Sequence, residues 1–173
     1  MVSFTEVPTT DARAARLLGD YFADRERTFP SAQGTYRTKL PTPEHFVPPA
    51  GVFLLALDEA SSPIGCGGIR RIEDRAPAQG TPAGAPAPGA AAVVRYEVKH
   101  LWVDPGSRGT GTGAAMLAEL ERRAVAFGSD ELVLDTNASL EAAGRLYRRS
   151  GYLDIPAYND NPNATNWYAK PLR

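Results

Sequence analysis

Residue types and spacing point to chemistry most clearly in Val103-Asp-Pro-Gly-Ser-Arg108-Gly-Thr-Gly-Thr-Gly113, where three glycines alternate with two threonines ahead of a helical pattern. Alternate glycines remove the Cβ atoms that hold a ligand away from backbone N–H groups. A helix start leaves its first N–H groups unpaired and carries positive partial charge. Together they make an anion site suited to a pyrophosphate, and Arg108 adds a charge at its lip. The rival is a dinucleotide fingerprint, Gly109-x-Gly111-x-x-Ala114 with Asp135 ending the next strand. In that fold the first glycine follows its strand directly and the unit repeats into a large parallel sheet. Here Asp104 to Arg108 intervene, and too few residues follow Asp135 for such a domain. Ala114-Ala115 excludes the phosphate loop that requires Lys-Ser/Thr after its last glycine.

Further on stands Leu146-Tyr147-Arg-Arg-Ser-Gly151-Tyr152. With the Arg-Gly-x-Gly-x-Gly segment in its Val-Asp-Pro setting, this resembles the acetyl-CoA-binding core of GNAT-superfamily N-acetyltransferases. The resemblance is strong over about 93–173 and looser over 1–73. It implies an α/β (α+β) fold: a mixed, mostly antiparallel sheet of about six or seven strands, splayed at a cofactor cleft, with about four helices. It also implies acetyl-CoA as cofactor, with its pyrophosphate held by Arg108, Gly109, Thr110, Gly111, Thr112 and Gly113. Backbone groups along Leu101, Trp102 and Val103 would pair with the pantetheine arm, and the Leu101 N–H would face the thioester oxygen. Tyr147 falls where many members place the acid that protonates the departing thiolate. Many members carry Asn where this chain has Leu140; Asn137, three residues earlier, is the remaining candidate for that cofactor contact.

The resemblance also makes Glu97 the candidate general base. An attacking amine must be neutral, and an ordinary ammonium ionises near pH 10. A carboxylate that relays the proton through water therefore helps. With simple alternation Glu97, Lys99, Leu101 and Val103 share one strand face unless a bulge intervenes. Lys99 and His100 read as solvated strand residues or substrate-side contacts, and Cys66 as a small buried strand residue. On the acceptor side the family uses the first helical lobe and the loop before the last strand. Here these supply Arg25, Arg27, Tyr36, Arg37 and Lys39, then Tyr158, Asn159, Asp160, Asn166 and Trp167. Arg37 is suited to an acceptor carboxylate, and Asp160 and Tyr158 to an ammonium. The expected acceptor is a primary amine of a small molecule. A non-catalytic CoA-binding module and a nucleotide binder are the alternatives.

The elements that must position these residues follow from periodicity. Strands are expected at Ser3–Val7, Gly51–Asp58, Pro63–Ile72, Val93–Val103, Glu131–Asp135, Tyr152–Ala157 and Asn166–Pro171. Helices are expected over about 11–26, capped by Thr10, over Gly109–Phe127, and over about Ser139–Ser150, with a short one near Pro43–Val47. The segment RAPAQGTPAGAPAPGAAA, 75–92, reads as a flexible insertion within one domain spanning 1–173. The 173 residues suit a single core. The net charge of −1 gives no footprint for non-specific nucleic-acid binding. One cysteine and two histidines leave no evident metal site. No apolar run is long enough to span a bilayer and no leader pattern opens the chain, so the expectation is a cytoplasmic protein without membrane partners. A homodimer is compatible with the family.

Overall fold

The computed structural model describes residues 2–74 and 92–173. The expected insertion therefore lies outside the described residues, except for Ala92. Seven strands form one sheet: β1 (Ser3–Glu6), β2 (Gly51–Leu57), β3 (Pro63–Arg71), β4 (Arg95–Val103), β5 (Glu131–Thr136), β6 (Leu153–Ile155) and β7 (Asn166–Pro171). Their order is β1-β2-β3-β4-β5-β7-β6. Every neighbouring pair is antiparallel except β4 and β5, which run parallel. The α-helices are α1 (Ala12–Thr28), α2 (Thr112–Ala126) and α3 (Glu141–Arg149). The expected short helix near Pro43 is a 3-10 turn, Pro43–Phe46.

β2 reads as an unbroken apolar run because both its faces are covered. Val52, Leu54 and Ala56 pack with Met116, Leu117 and Leu120 of α2. Phe53 and Leu55 pack with Ala14, Leu17, Leu18 and Phe22 of α1. Tyr147 of α3 joins the cluster on the α2 side with Tyr152 and Tyr168.

Two helix starts differ from expectation. Asp11, not Thr10, caps α1, its carboxylate accepting from the Arg13 N–H at 2.8 Å. α2 begins at Thr112 rather than Gly109 because Gly109 and Gly111 take left-handed φ values of 81° and 88°. That backbone is open to glycine and cannot continue a right-handed helix.

Two features of β4 shape the cleft. It pairs with β5 only over Arg95–Glu97 against Glu131–Val133. Beyond these residues the two strands diverge, while β5 stays paired with β7 to Thr136. The register with β3 also slips, from Lys99 opposite Gly68 to Trp102 opposite Cys66, so Gly67 faces two residues, His100 and Leu101. This bulge inverts the alternation. Tyr96, Val98 and Leu101 pack on the α2 side, whereas Trp102 packs on the α1 side. Glu97 and Leu101 therefore lie on opposite faces, which corrects simple alternation.

Candidate active site

The loop before α2 has the geometry of an anion cradle. The Thr110 hydroxyl donates to the Ser107 carbonyl at 2.8 Å and meets the Thr112 hydroxyl at 2.9 Å, which fixes the turn. The first bond of the helical ladder runs from the Ala115 N–H to the Gly111 carbonyl. The N–H groups of Thr112, Gly113 and Ala114 thus have no acceptor inside the helix. A Cβ at Gly109 or Gly111 would meet nothing within 4 Å, so both glycines border open space and owe their residue type to the left-handed backbone. These residues fit a pyrophosphate.

Arg108 is engaged elsewhere. Its Nε donates to the Val103 carbonyl and its Nη2 to Asp24 of α1, both at 2.9 Å. Its guanidinium lies 5.9 Å from the centre of the Trp102 ring. Asp24 also accepts from the Trp102 indole at 3.2 Å, from Arg25 at 2.9 Å and from Arg27. Burial favours the neutral acid there, but the arginine and indole donors outweigh it and hold Asp24 below the usual carboxylate range. Trp102, expected among the cofactor contacts, turns its side chain away from the α2 side into this cluster.

The divergence of β4 and β5 opens into a cavity of about 650 Å³. It brings together Leu101, Tyr147, Asn137, Arg37 and Asp160 from five separate parts of the chain. Arg108 through Gly113, Trp102, Val103, Glu97 and Tyr158 are not among its lining residues. Burial pushes the Tyr147 phenol up to about 12, with Arg25 opposing and Asp135 adding to the rise. It is a hydrogen-bond donor that gives up its proton reluctantly.

Glu97 is fully buried, at 1% exposure, behind two cations that do line the cavity. Its Oε2 accepts from Arg70 Nε and Nη2 at 2.8 and 2.7 Å. Its Oε1 pairs with Lys99 Nζ and accepts from the Tyr158 hydroxyl, both at 2.8 Å. Lys99 reaches across the splay to Asp135 at 3.1 Å. Asn159 donates to Asp135 at 2.7 Å and accepts from the Trp167 indole at 2.9 Å. β3, β4, β5, β7 and the late loop thus share one polar network. Burial, then the carboxylates of Glu97 and Asp135, push the Tyr158 phenol far up.

Asn163 joins the two loops that border the cavity. Its Oδ1 accepts from the Arg37 N–H at 2.9 Å and its Nδ2 donates to the Arg37 carbonyl at 2.8 Å. Asn137 strengthens this clasp by donating to Gln33 at 2.7 Å and to the Asn163 carbonyl at 3.0 Å. Its Oδ1 accepts from the Ser139 N–H at 3.0 Å. Both amide hydrogens of that side chain are therefore in use, and a further contact would fall to the second lone pair of Oδ1 or displace one of these donors.

Sequence reading missed Asp24, Arg70 and Asn163, and placed Asn159 in the late loop without its bonds to Asp135 and Trp167. For Asp24 a signal exists: it extends the apolar stripe Leu17, Tyr21 by three residues, where a carboxylate has to be paired. Cys66 is a buried strand residue as expected; burial, then the charge of Asp20, push its thiol up to about 12.

Residues 17–152 match the family model described as acetyltransferase (GNAT) family. An uncharacterized N-acetyltransferase of Schizosaccharomyces pombe is 32% identical over 115 residues, 66% of this chain. That match spans 60% of the relative's own length. A Klebsiella pneumoniae protein assigned as an acyl-CoA N-acyltransferase superposes with a TM-score of 0.71 at 26% identity, covering 100% of this chain and 99% of its own. An Elizabethkingia anophelis GNAT family acetyltransferase, solved with acetyl-CoA bound, has a TM-score of 0.59 at 14% identity and covers 98% of this chain and 97% of its own.

Proposed function

The chain belongs to the acetyltransferase (GNAT) family, and from that premise we propose that it transfers the acetyl group of acetyl-CoA to the primary amine of a small molecule. The observation that carries this reading is the left-handed glycine cradle at the start of α2, which follows the strand β4 that β5 leaves beyond Glu97. When bound, acetyl-CoA supplies an activated acetyl group. The N–H groups from Gly109 to Gly113 hold its pyrophosphate, with Arg108 alongside. Backbone groups of Leu101 and Val103, on the edge of β4 that β5 has left, hold the pantetheine arm. The Leu101 N–H steadies the carbonyl oxygen, a contact worth on the order of 3 kcal/mol where well aligned.

Glu97 takes the amine proton through water. Both its oxygens already accept hydrogen bonds, so it does so by exchanging one of those donors. Tyr147 Oη supplies a proton at the sulfur end. Arg37 and Asp160 contact the acceptor across the cavity. The clasp between Asn163 and Arg37 favours a small acceptor, because a peptide needs an open groove.

The test is thiol release from acetyl-CoA across a panel of primary amines: free amino acids, amino-acid amides, aliphatic diamines, aromatic monoamines and short peptides. Calorimetry with acetyl-CoA and NAD accompanies it. Acetyl-CoA binding, no NAD binding and amine-dependent thiol release are expected. Binding without turnover would leave a CoA-binding module. Turnover restricted to peptides would overturn the small-molecule acceptor.

A further inference from the structure

His100 lines the cavity and has no part in the steps above. It occupies the β4 bulge, where its φ of 55° places a residue other than glycine in the left-handed region. Its ring is packed edge-on by Tyr21 at 5.4 Å and Phe22 at 5.5 Å, and tilted against Phe46 at 6.1 Å. The buried Nδ1 has no hydrogen-bond partner. Two unfavourable features, a strained backbone and an orphaned polar atom, thus fall on one residue of the cavity wall. Packing does not explain the orphan, since a phenyl ring would fill the same aromatic cage without it. Burial, then the charges of Lys99 and Arg70, push the imidazole down to about 3, so the ring is neutral throughout the working range.

We propose that His100 is a substrate-contacting residue whose imidazole accepts an N–H of the acceptor amine and so aims the amine lone pair at the acetyl carbon. The proposal rests on the reading of this cavity as an acceptor site. A neutral primary amine has two N–H donors and one lone pair. If the lone pair is to attack, an N–H needs an acceptor that does not compete for the proton, and a neutral imidazole in an apolar cage is such a group. Nδ1 is the buried nitrogen and Nε2 is not, so Nε2 is the one left to meet a ligand in the cavity, and with the ring proton on Nδ1 it presents a lone pair. His100 moves no proton in this role. Its neighbour Leu101 brings the N–H assigned to the carbonyl oxygen, so the bulge sets both contacts side by side.

His100→Phe keeps an aromatic ring in the cage while deleting both nitrogens, at a left-handed backbone cost no smaller than histidine's. The expected result is a folded variant with a Tm close to wild type and an acetyl-CoA Kd within twofold. For the most active amine of the panel above, kcat/KM should fall at least tenfold, chiefly through KM. His100→Asn, which tolerates the left-handed backbone and keeps an acceptor, should recover part of the loss. Unchanged amine kcat/KM in a folded Phe variant overturns the proposal. If that variant does not fold, His100→Gly gives the same comparison: lost amine kcat/KM supports the contact and unchanged kcat/KM overturns it. A wild-type protein that releases no thiol with any amine overturns the acceptor-site reading and this proposal together. An active wild type with an equally active Phe variant removes this proposal alone.

Discussion

Asp24→Asn tests whether the carboxylate between α1 and the Gly-rich loop stabilises the fold through its charge. Asparagine keeps the shape and can still accept from the Trp102 indole. The arginines it would leave unbalanced differ in exposure: Arg25 is 16% exposed, Arg108 47% and Arg27 72%. Hydrogen bonds to buried charges contribute roughly 1.5–3 kcal/mol, so the Arg25 pair is worth about 2. The other two are screened by water and are worth about 0.5 kcal/mol each. The loss is about 3 kcal/mol, or roughly 6–12 °C in Tm for a chain of this size. The pH dependence follows from the same charge. Asp24 ionises below the usual range in the folded state, so its contribution is fully present above about pH 4 and disappears as pH falls through the lower, folded value. Between pH 7 and pH 3 the gap between the urea midpoints of the two proteins should begin to narrow below about pH 4 without closing, because the folded value lies lower still; other depressed carboxylates such as Asp11 and Glu119 are common to both and cancel. A gap that stays constant over that range would refute the assignment to charge, and no gap at pH 7 would refute the stabilisation itself.

Gly111→Val places a β-branched residue at a φ of 88° in the cradle; acetyl-CoA affinity by calorimetry should drop at least tenfold, and wild-type affinity in a folded variant would move the pyrophosphate elsewhere. Asn163→Ala removes two bonds to the Arg37 backbone, at a cost of about 1–2 kcal/mol; steady-state kinetics should show a severalfold rise in amine KM with acetyl-CoA KM unchanged, and unaltered amine KM would show that the clasp does not shape the acceptor site. The phenols of Tyr147, Tyr152 and Tyr158 are all pushed up by burial, so the native state keeps protons that the unfolded chain gives up near pH 10. Stability should therefore decline above pH 10, and difference absorbance should show fewer than the chain's seven tyrosines ionising before unfolding; seven ordinary titrations in folded protein would contradict the burial.

What the sequence makes legible is local. Unbroken or alternating apolar runs place every strand within a residue or two, because strand faces must be buried and the run itself records that. The three glycines mark the cradle for a similar reason: their backbone geometry is written in their own residue type. The helix start at Thr112 was hidden, since nothing in a Gly-Thr-Gly run says which glycines are left-handed. The partners of Arg108 and Glu97 were hidden more deeply. Asp24 lies 84 residues from Arg108, and Tyr158 lies 61 from Glu97. Such pairs exist only once the sheet has brought α1 and the late loop to one end. The β4 bulge is the intermediate case: alternation alone gives the wrong face for Leu101, and only the slip against Gly67 shows where the phase changes.

The clasp has a consequence for how this protein could change its specificity over generations. Asn163 holds position 37 by its backbone N–H and C=O and asks nothing of the side chain. Any residue except proline can supply those two groups. The Arg37 side chain meanwhile borders the cavity, exposed and uncommitted to the fold. Drift or selection can therefore rewrite that position, exchanging a cation for an acid, an amide or an apolar group, while the loop stays in place. Evolvability here comes from a division of labour within one residue, whose main chain belongs to the architecture and whose side chain is left to the cavity.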